Sequence, residues 1–161
     1  MVPGMGGMGM TVYVDTREKP HAIGKILSQL ESAGAEIIRQ KLDVGDYMLS
    51  PDGAISVDRK QNLLEVCGNL AQEHRRFSAE CLRAQTSGVH LVILVEHGGK
   101  IRSLEDVYGW KNPRLSVSPY ALSGSRVYAL MKAYEVKYGV EWAFCRKQDT
   151  GKRILDILIR G

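Results

Sequence analysis

The sequence predicts an α/β fold in which a mixed β-sheet is covered by helices. Three observations lead there. Short runs rich in β-branched residues alternate along the chain with longer runs whose apolar residues recur at helical spacing. Residues 91–96 (LVILVE) are almost wholly apolar, as a strand covered on both faces requires. The C-terminal half reads strand, helix, strand, helix, which suggests parallel neighbours joined by a right-handed crossover. A chain of 161 residues is long enough to enclose one substantial core.

Each element has its own signal. Residues 11–15 (TVYVD) alternate and read as a strand. Ile23, Ile26, Leu27 and Leu30 share one face of a helix over 20–33, which Gly34 stops. Residues 36–42 and 46–50 read as strands. Pro51, Asp52 and Gly53 form a turn, and 54–58 is the returning strand. A helical pattern covers 62–84. After the apolar strand, Ser103 and Asp106 are spaced as a capping box opening a short helix. A further helix spans 121–138 and ends at Gly139. Residues 140–145 form the last strand, and Ile154 and Ile159 lie in a last helix capped by Asp149 or Thr150. The order is β-α-β-β-β-α-β-α-α-β-α.

Composition narrows the function classes. The formal net charge is +4, which permits a polyanionic partner without demanding one. The three cysteines are odd in number and none stands in C-x-x-C spacing, so neither a disulfide framework nor a zinc site is expected. No apolar run approaches the ~20 residues that span a bilayer, and no secretory signal opens the chain. No membrane partner is expected. Residues 4–9 match G-x-G-x-x-G, but a dinucleotide site needs a strand before the motif and a helix after it. Only three residues precede Gly4, so residues 1–10 read as a flexible Gly/Met-rich leader and 11–161 as the single domain.

The chemistry concentrates at Asp15, Asp46, Asp58 and Lys60. Asp46 and Asp58 stand six residues on either side of Asp52, the centre of the turn. In a tight antiparallel hairpin they face each other with Cβ atoms about 5 Å apart. Lys60, two residues after Asp58, leaves the strand on the same face. Two opposed carboxylates repel, and a hard divalent cation offsets that repulsion. Asp15 ends the first strand, where it can point into the same cleft. Such a set suits phosphodiester hydrolysis: a metal activates water and neutralises growing charge, and a lysine stabilises the rest. On spacing alone an ordinary hairpin is an equal reading, with Asp46 capping a turn and Asp58 and Lys60 in an exposed cross-strand pattern.

Three successive segments tip that balance: Val14-Asp15-Thr16-Arg17-Glu18, then Val44-Gly45-Asp46-Tyr47, then Val57-Asp58-Arg59-Lys60. They resemble, in order and spacing, the motifs V-D-x-R-E, G-D-Y and V-E-R-K-x-x-x-D of the XPF-type structure-specific endonuclease family, a branch of the PD-(D/E)-x-K nucleases. The resemblance runs over roughly residues 11–160. It implies a restriction-endonuclease-like fold and a metal-dependent DNA endonuclease cutting flaps, forks or junctions in repair or recombination. By position it implies Asp15, Asp46 and Asp58 as metal ligands for Mg²⁺ or Mn²⁺, and Lys60 as the catalytic lysine. Arg17, Glu18 and Arg59 match supporting active-site positions. Two departures stand out. Asp58 replaces the family's glutamate, and Leu64 stands where the family has aspartate, with Glu65 about 100° further round the helix. A catalytically inactive DNA-binding scaffold subunit of the same family is the alternative.

The resemblance also implies a homodimer. Larger relatives carry a tandem helix-hairpin-helix module that this sequence lacks, so the expectation is a compact stand-alone protein, cytoplasmic and prokaryotic or phage-encoded. Its partner would be branched DNA or a single-strand/double-strand junction. Phosphate contacts need Lys or Arg beside the cleft. Arg75, Arg76 and Arg126 are the first candidates. His74, Arg83, Lys111, Arg114 and a cluster at Arg146, Lys147, Lys152 and Arg153 follow. Tyr108 and Trp110 can stack on bases or pack in the core. His97 reads as a loop histidine.

Overall fold

The computed structural model describes residues 9–160. Six strands form one mixed sheet in the order β2-β1-β3-β4-β5-β6. The strands are β1 (Thr11–Val14), β2 (Glu36–Arg39), β3 (Tyr47–Met48), β4 (Ile55–Lys60), β5 (His90–Glu96) and β6 (Glu141–Cys145). Helix α1 (Gly24–Ser32) joins β1 to β2. Helices α2 (Leu63–Leu70) and α3 (His74–Thr86) join β4 to β5, and α4 (Leu104–Val107) and α5 (Gly124–Tyr138) join β5 to β6. Helix α6 (Thr150–Ile159) closes the chain. Among the described residues no helix is long and apolar enough to cross a membrane.

β1 and β2 run parallel, as do β4, β5 and β6, and the antiparallel strand β3 connects the two groups. The expected doubly covered strand is β5. Leu91, Ile93 and Val95 pack with α2 to α5 on one face, while Val92 and Leu94 pack with α1 and α6 on the other.

Several elements differ from expectation. The helix expected over 62–84 is two helices, separated at Ala71–Glu73, where Ala71 leaves the helical region (φ −110°, ψ −89°). Its buried residues Leu63, Val66, Leu70, Phe77, Cys81 and Ala84 keep one helical phase straight through the break, so periodicity cannot reveal it. The helix expected over 20–33 opens with a 3-10 turn at Pro20–Ala22, because proline fixes the entry. At α4 the Asp106 carboxylate accepts from the N–H of Arg102 (2.9 Å) rather than closing a capping box with Ser103. Asp149 is the N-cap of α6 but its side chain caps nothing. Gly139 ends α5 as expected, at φ +70°. Of the expected leader and its glycine motif, residues 1–8 lie outside the described residues. Met10, placed in that leader, instead packs on the core, and its carbonyl accepts from the N–H of Glu36 (2.9 Å).

Candidate active site

The hairpin β3–β4 brings Asp46 and Asp58 together, with a local adjustment. Tyr47 pairs with Val57, and the Asp46 N–H also donates to the Val57 carbonyl (2.7 Å), so two residues oppose one as in a β-bulge. Tyr47 and Val57 still face α1 and α6, and both carboxylates face the opposite way. Asp46 is anchored by the backbone N–H of Arg59, which donates to its Oδ2 (2.8 Å). Burial, then the charge of the adjoining Asp58, raises the Asp46 carboxyl well above the usual carboxylate range.

Lys60 lies on the same face, with Nζ 3.3 Å from Asp58 Oδ2 and 5.2 Å from the Phe77 ring centre. Burial opposes its charge, but Asp58, Glu65, Glu80 and Asp46 together hold its pKa above the ordinary lysine value. Lys60 is therefore a cation at neutral pH, suited to stabilising negative charge and unsuited to accepting a proton. Its pairing with Asp58 is electrostatic, because Asp58 Oδ2 has no aligned hydrogen-bond donor.

These side chains open into a cleft of about 470 Å³ between β4, α2 and α3. The cleft includes a residue that sequence reasoning missed. Glu80 on α3 accepts from the N–H of Gly45 (3.2 Å), and burial with the nearby Asp58 raises its carboxyl. No motif signals it; it stands 20 residues beyond Lys60 on the far side of the helix break. Glu65 also lines the cleft, whereas Leu64 lines a separate groove. Glu65 was expected to point elsewhere, but a capping box turns it inward. Its N–H donates to Asn62 Oδ1 (2.9 Å) and its carboxylate accepts from the N–H of Gln61 (2.7 Å).

The structure does not bring Asp15 into this cleft. Its fully buried carboxylate accepts from the Arg17 guanidinium (2.6 Å), the Arg17 N–H (3.1 Å) and the Leu42 N–H (2.7 Å). Burial works against its ionisation, yet these donors hold its pKa below the usual value. Asp15 positions Arg17, which does line the cleft. Behind Asp46 and Asp58, Arg59 points to the opposite face of the sheet. Its guanidinium donates to Glu18 Oε1 (2.7 Å), Glu18 Oε2 (3.1 Å) and Glu96 Oε1 (2.7 Å). The Tyr47 hydroxyl donates to Glu18 (2.8 Å), and Thr150 donates to Glu96. Arg59, Glu18 and Glu96 thus form a buried network bracing the hairpin, with all three nitrogens of the Arg59 guanidinium engaged in it.

Gly45 is fixed by close approach. Its φ is +73°, and a Cβ there would lie 2.1 Å from Ser56 Oγ. Gly45→Ala is expected to cost at least about 1–3 kcal/mol, from the left-handed backbone alone. Thermal melting should read this as a fall of several degrees; an unchanged melting temperature would mean the turn is not fixed as described.

Of the three first candidates for DNA contact, only Arg76 lines the cleft, where it pairs with Glu73. Arg83, on the same face, also lines it and donates to the Asp43 carbonyl (3.0 Å). Arg75 and Arg126 are exposed outside it. Trp110 packs edge-on to His97, whose Nδ1 accepts from the N–H of Leu63 (3.3 Å). Tyr108 is largely exposed.

The cleft fits a divalent cation. Asp58 Oδ2 and Asn69 Oδ1 are buried oxygens without hydrogen-bond partners, and both belong to cleft residues. Asp46, Asp58, Glu65, Glu73 and Glu80 crowd carboxyl groups along the lining, and a divalent cation offsets their mutual repulsion. Among the described residues no three His, Cys, Asp or Glu side chains form a ready-made cation cage. Mg²⁺ needs no such cage, since it takes one or two carboxylates and fills its remaining positions with water and phosphate.

The ERCC4 domain model matches residues 14–156, which include every element from the end of β1 to most of α6. The chain belongs to the ERCC4 domain family. No curated protein sequence matches it. Its fold is that of the XPF-type nuclease domain. XPF from Aeropyrum pernix superposes with a TM-score of 0.65 at 26% identity, over 92% of this chain and 63% of that one. The same protein in complex with DNA gives 0.65 at 24% identity, over 93% of this chain and 64% of that one, a likeness of fold. This ERCC4 chain thus spans just under two thirds of the length of those relatives.

Proposed function

We propose that the protein is a metal-dependent DNA endonuclease, acting as a homodimer on flap, fork or junction DNA in repair or recombination, with Mg²⁺ or Mn²⁺ as cofactor. The observation that carries this is the juxtaposition in one ERCC4-type cleft of Asp46, Asp58 and cationic Lys60, with a buried Asp58 oxygen that accepts no hydrogen bond. Asp46 and Asp58 would hold the metal, with Glu80 beside them. When bound, the metal supplies activated water and neutralises charge on the phosphate.

The chain's own residues do the rest. Lys60 places a positive charge where charge develops on the scissile phosphate. Arg17, Arg76 and Arg83 at the rim are placed to hold flanking phosphates. The Arg59 N–H keeps the Asp46 carboxylate aimed at Asp58. The second reading, an inactive DNA-binding subunit, rests on Leu64, which contributes nothing to the cleft.

The test is a panel of labelled single-stranded, duplex, flap, fork and four-way-junction DNA, with Mg²⁺, Mn²⁺ or EDTA. Nicking of the branched substrates that stops in EDTA is the expected result. Binding of branched DNA without cutting in either metal would reject the enzyme and leave the inactive subunit.

A further inference from the structure

We infer that a second pocket, at the C-terminal ends of β5 and β6, is a subsite for an unpaired DNA strand on one side of the scissile phosphate. The inference rests on the nuclease reading of the cleft. The pocket has a volume of about 670 Å³ and is bounded by the loop after β5, the end of β6 and the first two turns of α6. Ile101 and Phe144 form part of its wall, and Arg102, Lys152 and Arg153 surround them. Among the described residues these three cations have no carboxylate within ion-pair distance, whereas Arg146 on the rim is bound to Asp149 (3.0 Å). Asp156 is the one lining carboxylate not engaged in such a pair.

Three properties point to a single strand. Cationic side chains around an apolar and aromatic wall are what a sugar-phosphate backbone with splayed bases needs. The pocket is concave and sized for a nucleotide or two rather than for the broad flank of a duplex. Its position is also right. The sheet register aligns Lys60 with Val95 and Val95 with Phe144, so Phe144 lies in the same row as the catalytic lysine. Two strand spacings separate them, about 10 Å, and the Phe77 ring beneath Lys60 Nζ belongs to the same core cluster as Phe144. His97 links the two sites: it lines the pocket, and its ring accepts from the N–H of Leu63 at the start of α2, where Glu65 turns into the cleft. The cleft is lined by several carboxyl groups, whereas here three cations without ion-pair partners face the single unpaired carboxylate of Asp156, so without metal this pocket is the better site for a polyanion.

The test measures binding apart from cutting. Fluorescence anisotropy in EDTA compares a labelled oligo-dT with a blunt duplex of equal length. The proteins are wild type, the triple variant Arg102→Ala/Lys152→Ala/Arg153→Ala, and a charge-matched control, Lys19→Ala/Lys25→Ala/Lys41→Ala, at exposed sites outside both pockets. The triple variant should bind oligo-dT at least tenfold more weakly and duplex less than about twofold more weakly. Loss of three phosphate contacts should flatten the slope of log K against log salt by about 2. The control should match wild type. Three outcomes overturn the inference: no binding of oligo-dT by wild type, unchanged affinity in the triple variant, or equal weakening in the control. Binding as expected in a protein that cuts nothing would instead reject the nuclease reading.

Discussion

Lys60→Ala is expected to lower the single-turnover cleavage rate by roughly 10²–10³-fold, the usual effect of deleting one preorganised stabiliser of developing charge. Burial alone would favour a neutral lysine, but the four surrounding carboxylates hold Lys60 protonated. A protonated amine cannot act as the base, so its contribution lies in the transition state, where charge builds on the phosphate. DNA affinity should therefore change by no more than a few-fold, because Arg17, Arg76 and Arg83 remain at the rim. The loss should appear in the rate at saturating protein and not in half-saturation. A comparable fall in affinity, with the saturated rate preserved, would recast Lys60 as a binding residue. Asp46→Asn should cause a loss of similar size, accompanied by a higher metal requirement.

Arg59→Leu is expected to destabilise the fold by about 3–5 kcal/mol, since it removes one partner of a buried ion network and leaves two others without it. Glu18 and Glu96 are both largely buried and lean on the same guanidinium, with side-chain exposures of 12% and 2%. For a domain of this size the melting temperature should fall by about 2–4 °C per kcal/mol, some 10 °C in all. Arg59→Lys should recover little, because one ammonium cannot reproduce a planar fork reaching two carboxylates. A shift of only two or three degrees would show that the network is solvated and contributes little.

The sequence made the acidic pair legible because a turn is a mirror. Counting six residues either way from Asp52 finds Asp46 and Asp58, and the bulge at Asp46 left that facing intact. Alternation along β4 sends the Arg59 side chain away from Asp58 and Lys60, although its motif grouped it with the active-site positions. What alternation cannot supply is the partner across the sheet: Glu96 ends an otherwise apolar strand, and nothing local ties it to Arg59. Glu80 was invisible for a related reason. It reaches the cleft only because the chain breaks and re-enters a helix at 71–73, a break that leaves the apolar phase unchanged. Asp15 illustrates the opposite case. Its motif was plain, but an adjacent arginine and a distant backbone N–H occupy its carboxylate, and only the folded chain shows that.

Strand β3 is two residues long, and through it alone the β1–β2 pair is hydrogen-bonded to the three-stranded parallel block. One bridge to β4 and two to β1 make up its ladder. A seam this narrow sets the grain of the molecule's breathing. Hydrogen exchange is expected to be slowest at the amides of β5, which is covered on both sides, and faster at those of the two-residue ladder around residues 46–48. Asp46 lies on that seam and Asp58 on the block beside it, so the spacing of the two carboxylates is set by this short ladder and not by the core of either block.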